Sequence, residues 1–152
     1  MTRFLRALLL GLAMAVWGVT AQAALTIEIT QGVEGAVPIA VVPFGGGEAL
    51  PENVSEIIAD DLQRSGRFAP MNQQDMLSRP TEPQQVNFRD WRVLQVDNLV
   101  IGKVQATGPD SYNISFQLFD VLRGGQLTGY TVPATRGQLR RAAHHIADLI
   151  YE

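Results

Sequence analysis

A chain of 152 residues with a formal net charge of −3 and no cysteine has the length for one domain, and an apolar core rather than disulfides must hold it. The acidic balance leaves no basic stripe, so neither nucleic acid nor an anionic lipid surface is an expected partner.

The first two dozen residues read as a targeting segment. Arg3 and Arg6 make a short basic start, "ALLLGLAMAVWGV" from Ala7 to Val19 is an apolar core, and "TAQA" puts Ala21 and Ala23 at the small positions of an A-x-A site. That is the layout of a secretory signal peptide over residues 1–23, cut between Ala23 and Ala24. The apolar core falls short of the roughly 20 residues of a spanning helix, so no integral membrane insertion is expected. Processing removes Arg3 and Arg6, which leaves ten of the twelve basic side chains against fifteen acidic ones, a mature charge near −5. With no cysteine after the signal there is no site for a bacterial lipid anchor. The periplasm of a two-membrane bacterium fits these features.

The mature chain opens on "ALTIEIT", where Leu25, Ile27 and Ile29 alternate with Thr26, Glu28 and Thr30. The period of two predicts a half-buried strand. At a free terminus such a strand either docks on its own sheet or is lent to the sheet edge of a partner, since both use the same backbone groups. After a turn, "IAVVPF" from Ile39 to Phe44 is an apolar run expected to be an inner strand, with pairing lapsing at Pro43. Gly45 to Gly47 then lead into a helix that Pro51 is suited to open. Val54, Ile57, Ile58, Leu62 and Ser65 share one arc of that helix, and Gly66 is placed to end it. "RFAPM" predicts a short strand, and Asn72 to Val86, polar and without period, a surface loop. Asn87 with Asp90 three residues on predicts the start of a short helix burying Phe88, Trp91 and Leu94.

Two strands joined at Thr107–Ser111 follow, the second alternating Ile114, Phe116 and Leu118 with Asn113, Ser115 and Gln117. A hairpin turn is expected at Arg123–Gln126. From Arg136 to Glu152 an amphipathic helix carries Leu139, Ala142, Ala143, Ile146, Leu149 and Ile150 on one arc. It ends without a glycine or proline stop, which is expected of a piece of something longer. The element order predicts an α/β (α+β) fold: a mixed sheet of about five to six strands against two longer helices and one short one.

Constellations that carry chemistry are sparse. A phosphate loop needs amides aimed at an anion, with a lysine and a hydroxyl nearby. Gly45-Gly46-Gly47 is instead followed by Glu48, and the only lysine, Lys103, sits in a strand. Permissive backbone at a strand–helix joint is the expected role. A small periplasmic ligand-binding domain using this loop and Asp61 is the alternative. Asp61 falls within the apolar arc of its helix and needs partners there. Loop amides or Arg67 would supply them if it is a structural, buried polar residue; a catalytic role lacks a second group. His144 and His145 point about 100° apart and are expected to be solvated, so no metal site is predicted. No G-x-S-x-G nucleophile motif is present, no carboxylates pair, and neither catalysis nor a cofactor is expected.

Together the strings "IEITQGVEGAVPIAVVPF", "IIADDLQRSGRFAPM", "QQVNFRDWRVLQVDNLVIGKV", "YNISFQLFDV" and "LRRAAHHIADLIYE" resemble the amino-terminal domain of the TolB family, periplasmic proteins of the Tol–Pal cell-envelope system. The resemblance covers essentially the whole mature chain. It implies a non-enzymatic α/β domain over residues 36–152, preceded by a partner-binding segment, 24–35, and followed in the family by a six-bladed β-propeller absent from this chain. It further implies that Ala24 to Glu34 bind the C-terminal domain of TolA, with Leu25, Ile27 and Ile29 as apolar anchors and Thr26, Glu28 and Thr30 between them. The family segment is thought to switch between docking at home and release to that partner. Pal binding belongs to the propeller, and the system supports outer-membrane integrity during division.

Overall fold

The computed structural model describes residues 35–152. The signal segment 1–23, the cleavage pair Ala23 and Ala24, and the strand expected over Ala24–Thr30, with the site residues Leu25 to Thr30, lie outside them. Five strands form one mixed sheet: β1 (Val37–Val41), β2 (Phe68–Pro70), β3 (Asn98–Gly108), β4 (Ser111–Asp120) and β5 (Gly125–Thr135). Their spatial order is β2-β1-β3-β4-β5. β1 runs parallel to both neighbours, with Val37 opposite Phe68 and Ile39 opposite Asn98. β3, β4 and β5 are an antiparallel meander. Three helices complete the domain, α1 (Val54–Arg64), α2 (Phe88–Val93) and α3 (Leu139–Tyr151). The α+β architecture is the one expected.

Local chemistry sets the boundaries. β1 is apolar throughout because both its faces are covered: Ile39 and Val41 face one side, Ala40 and Val42 the other, all at most 1% exposed. Pairing lapses before Pro43, as its missing donor requires. Helix α1 begins later than Pro51 suggested. Asn53 is the cap, its side chain accepting from the Glu56 amide at 3.3 Å, and a capping oxygen satisfies a free amide that proline at Pro51 does not address. Gly66 ends the helix at φ +72°, the left-handed value glycine tolerates. Asn87 caps α2, accepting from the Arg89 amide at 3.2 Å. The β4–β5 turn sits earlier than "RGGQ" implied. Asp120 accepts the Arg123 amide at 2.9 Å, so the turn closes before Gly125, which already pairs with Asp120. Arg136–Gln138 form a 3-10 turn leading into α3, so that helix proper starts at Leu139.

Two apolar layers flank the sheet. On one face Ile39, Val41, Val100, Ile114 and Phe116 meet Ile58 and Leu62 of α1 and Leu139, Ile146 and Ile150 of α3. On the other, Ala40, Val42, Leu99, Ile101 and Phe119 meet Trp91 of α2 and Val96. Phe88 of α2 meets Phe119 edge-on, ring centroids 5.7 Å apart. Trp91 is 1% exposed, and its indole N–H finds no acceptor among the described residues. Among those residues no helix is long and apolar enough to cross a membrane.

Candidate functional site

The glycine loop is a joint. After Pro43 the chain stays beside β3: the Gly45 amide donates to the Gly102 carbonyl at 3.0 Å, and the Gly45 carbonyl accepts from the Val104 amide at 2.7 Å. Both backbone groups of Gly45 are therefore spent on the sheet, not aimed at an anion. Gly46 has φ +77°, and a Cβ there would lie 2.3 Å from the Val104 carbonyl oxygen. Glycine is required because the loop is pressed against β3, not because a ligand approaches it. The Phe44 ring lies across Gly102, where any Cβ would come within 2.6 Å of it. This close contact helps fix where the loop leaves the strand.

Asp61 is not sealed in the core. Its side chain is 20% exposed, and its partners are Arg64 one turn on and His144 of α3. The wheel places Asp61 on the arc of α1 near Val54, but that arc meets α3 along a seam whose rim is open to water. Arg67, the partner expected from sequence, is engaged elsewhere: its guanidinium donates to the Tyr151 carbonyl at 2.6 Å and lies 5.1 Å from the Tyr151 ring centroid. It sits past the Gly66 stop, within reach of the last turn of α3, where carbonyls lack helical donors. The glycine loop and Asp61 are thus held by different elements, one by β3 and one by α3.

Desolvation by itself raises the Asp61 pKa. Hydrogen bonds from His144 and Arg64, and their positive charge, outweigh it and hold the carboxyl below its ordinary value. His144 Nδ1 donates to Asp61 Oδ2, a link charged only when the imidazole is protonated. His144 is therefore a seam residue, not the free surface side chain expected from its helix alone; His145 is exposed. Two wheels drawn separately cannot reveal this. The available signal was a carboxylate inside one apolar arc and an imidazole bordering the other. The hollow beside His144 is lined by Pro133, Gln138, Arg141, His145 and Asp148 among others, with no hydroxyl or thiol in the lining. The carboxylate–imidazole pair ties α1 to α3. Arg140 extends the same seam, donating to Glu52 at 2.8 Å.

Comparison with known proteins agrees with this architecture. The family model described as the TolB amino-terminal domain matches residues 25–127. The Tol-Pal system protein TolB of Thioalkalivibrio sulfidiphilus is 52% identical over 155 residues, covering 100% of this chain and 35% of that protein. Its namesake in Nitrosococcus oceani is 53% identical, covering 93% of this chain and 33% of that protein. The chain therefore spans about a third of these relatives' length. TolB from Acinetobacter baumannii superposes with a TM-score of 0.65 at 28% identity, covering 76% of this chain and 27% of that one. The LpoB C-terminal domain from Salmonella enterica shares the fold alone, with a TM-score of 0.52 at 13% identity over 66% of this chain and 83% of that one. With its five-stranded mixed sheet, its two long helices and a family-model match over most of its length, the chain belongs to the TolB amino-terminal domain family.

Proposed function

We propose that this domain is a non-enzymatic, periplasmic interaction module of the Tol–Pal envelope system. In this reading residues 1–23 direct export and are removed after Ala23. The new amino end, Ala24 to Glu34, recruits the C-terminal domain of TolA by adding a strand to its sheet. Leu25, Ile27 and Ile29 enter the partner's apolar face, while Thr26, Glu28 and Thr30 stay toward water. Backbone hydrogen bonds supply affinity in such additions and alternate side chains supply selectivity. The recruitment serves outer-membrane integrity and cell division. Pal would be engaged only where a propeller domain accompanies this one.

One observation carries the proposal: two relatives named Tol-Pal system protein TolB match 100% and 93% of this chain at 52% and 53% identity. The domain behind the segment supports it, since the two features that the sequence singled out in it have structural partners. The Gly45 backbone is bonded to β3 and the Asp61–His144 pair joins α1 to α3, which favours structural roles for both over the ligand-binding alternative.

The test is a calorimetric titration of the TolA periplasmic C-terminal domain into the mature chain, repeated with residues 24–34 deleted. Saturable binding lost on deletion is expected. Undiminished affinity after deletion overturns the assignment of the segment. A thermal-shift screen with phosphates, nucleotides and sugars addresses the alternative, and stabilisation abolished by Gly46→Val would restore it.

A further inference from the structure

Strand β5 closes one side of the sheet and, among the described residues, pairs only with β4. Hydrogen bonds two strands away fix which of its backbone groups face outward. Val42 donates to the Val100 carbonyl, Gly45 to the Gly102 carbonyl, and Val104 to the Gly45 carbonyl. Even-numbered residues of β3 thus turn their backbone groups toward β1, and odd-numbered ones toward β4. The pairs Ile101 with Gln117 and Phe116 with Tyr130 carry the alternation across the sheet. Tyr130 and Val132 therefore bond β4, and Gly129, Thr131 and Pro133 turn outward. Gly129 and Thr131 each offer an N–H and a C=O. Pro133 offers a carbonyl alone and ends the run of donors.

Edge strands are ordinarily blunted with charge, proline or a short length. β5 is 11 residues long, "GQLTGYTVPAT", and carries no charged side chain. Proline protects only its second half. The unprotected half is flanked by a hollow on each face of the sheet. One, about 510 Å³, is polar, lined by Lys103 paired with Glu82 and by Ser115, Gln117, Gln126 and Thr131 among others. The other, about 440 Å³, is more apolar, lined by Leu118, Leu127, Leu149 and Ile150, with Arg67 and Glu152 also in its lining. Leu127 and Tyr130 are each 55% exposed there. Side chains of an added strand alternate between faces, so each hollow would receive every second one.

We propose that the Gln126–Thr131 half of β5 receives an extended segment of a partner protein by strand addition, its side chains alternating between apolar and uncharged polar. Apolar residues fill the Leu127–Ile150 hollow, and polar ones meet Ser115, Gln117 and Thr131. A second copy of the domain fits less well, because pairing of one short edge buries far less than the roughly 800 Å² per partner of a stable interface. A short peptide needs only the edge and the two hollows. This surface and the amino-terminal segment of the proposed function are different stretches of the chain, and the two readings stand or fall independently.

The probe is the capped peptide KTLTLTLTK, titrated into the mature chain and followed by NMR. Saturable shifts at Gly129, Thr131, Leu118 and Leu149 are expected, with slowed exchange of the Gly129 and Thr131 amides. The same peptide N-methylated along its pairing edge should bind about tenfold or more weakly, since each lost hydrogen bond is a sizeable fraction of that factor. Thr131→Pro removes an outward donor and leaves the β4 ladder intact, so it should weaken the peptide similarly. Where that variant does not fold, the methylated peptide makes the same deletion from the other side. Three results overturn the proposal: no shifts, equal binding of the methylated peptide, or β5 amides already protected in a chain that sediments as a dimer.

Discussion

The two faces of the sheet are covered in different ways. Helices α1 and α3 run along one face and bury its centre: Ile58, Leu139 and Ile146 are 0% exposed. On the other face the single turn and a half of α2 covers only the end near Leu99 and Phe119. Beyond that cover the sheet shows Lys103, Ser115, Gln117 and Thr131 to solvent, with Ser115 and Thr131 joined by a 3.0 Å hydrogen bond. Strand β4 records this division. It alternates apolar and polar from Tyr112 to Leu118, then places Phe119 directly after Leu118, because Phe119 lies where α2 begins to cover the second face. A run of two apolar residues at the end of an alternating strand therefore marks the edge of a covering helix, not a change of structure.

Truncations break or sharpen that contrast. Ile146→Ala removes a fully buried side chain from between α1 and α3, where both helices are pinned and cannot collapse into the gap. It should cost about 3 kcal/mol in urea unfolding, against under ~0.5 kcal/mol for Gln117→Ala on the open face. Equal costs would mean the second face is as tightly held as the first. Trp91→Phe should fall between them, near 1 kcal/mol. It loses ring volume, but it also removes an indole N–H that is buried without an acceptor among the described residues, which offsets part of the loss. A cost as large as that of Ile146→Ala would show that the N–H is well satisfied in solution.

Much of this was legible in the residues. The buried run Ile39–Val42, the alternation of β4 and the arcs of α1 and α3 are periodic patterns, and periodicity is what burial imposes on a chain. Helix and turn limits were less legible. Pro51 and Asn53 both suit the start of a helix, and only the geometry of the Asn53 side chain decides between them. The glycine loop was readable as a joint from its missing lysine and from Glu48, but its bonding to β3 was not. The partners of Asp61 were misjudged because Arg67 is near in sequence whereas His144 is brought close by the packing of α3. The edge position of β5 was not legible at all, because strand order is a property of the whole sheet and "GQLTGYTVPAT" does not encode it.

The seam between α1 and α3 gives a modest effect and the sharpest sign. The folded pKa of Asp61 lies below its ordinary value, which is about 3.9 in an unfolded chain. Its stabilising contribution is therefore fully present above the unfolded value and is lost as pH falls through the folded one. Asp61→Asn keeps the shape and removes the charge, so it should cost about 1 kcal/mol at pH 6, a modest figure because Arg64 is largely exposed and its pairing is screened. Below pH 4 the wild type should lose that advantage while the variant does not, and the two urea midpoints should converge. A gap that stays constant from pH 6 to pH 2 would mean that shape, not charge, joins the helices, and that the hydrogen bond from His144 serves a neutral acceptor equally well.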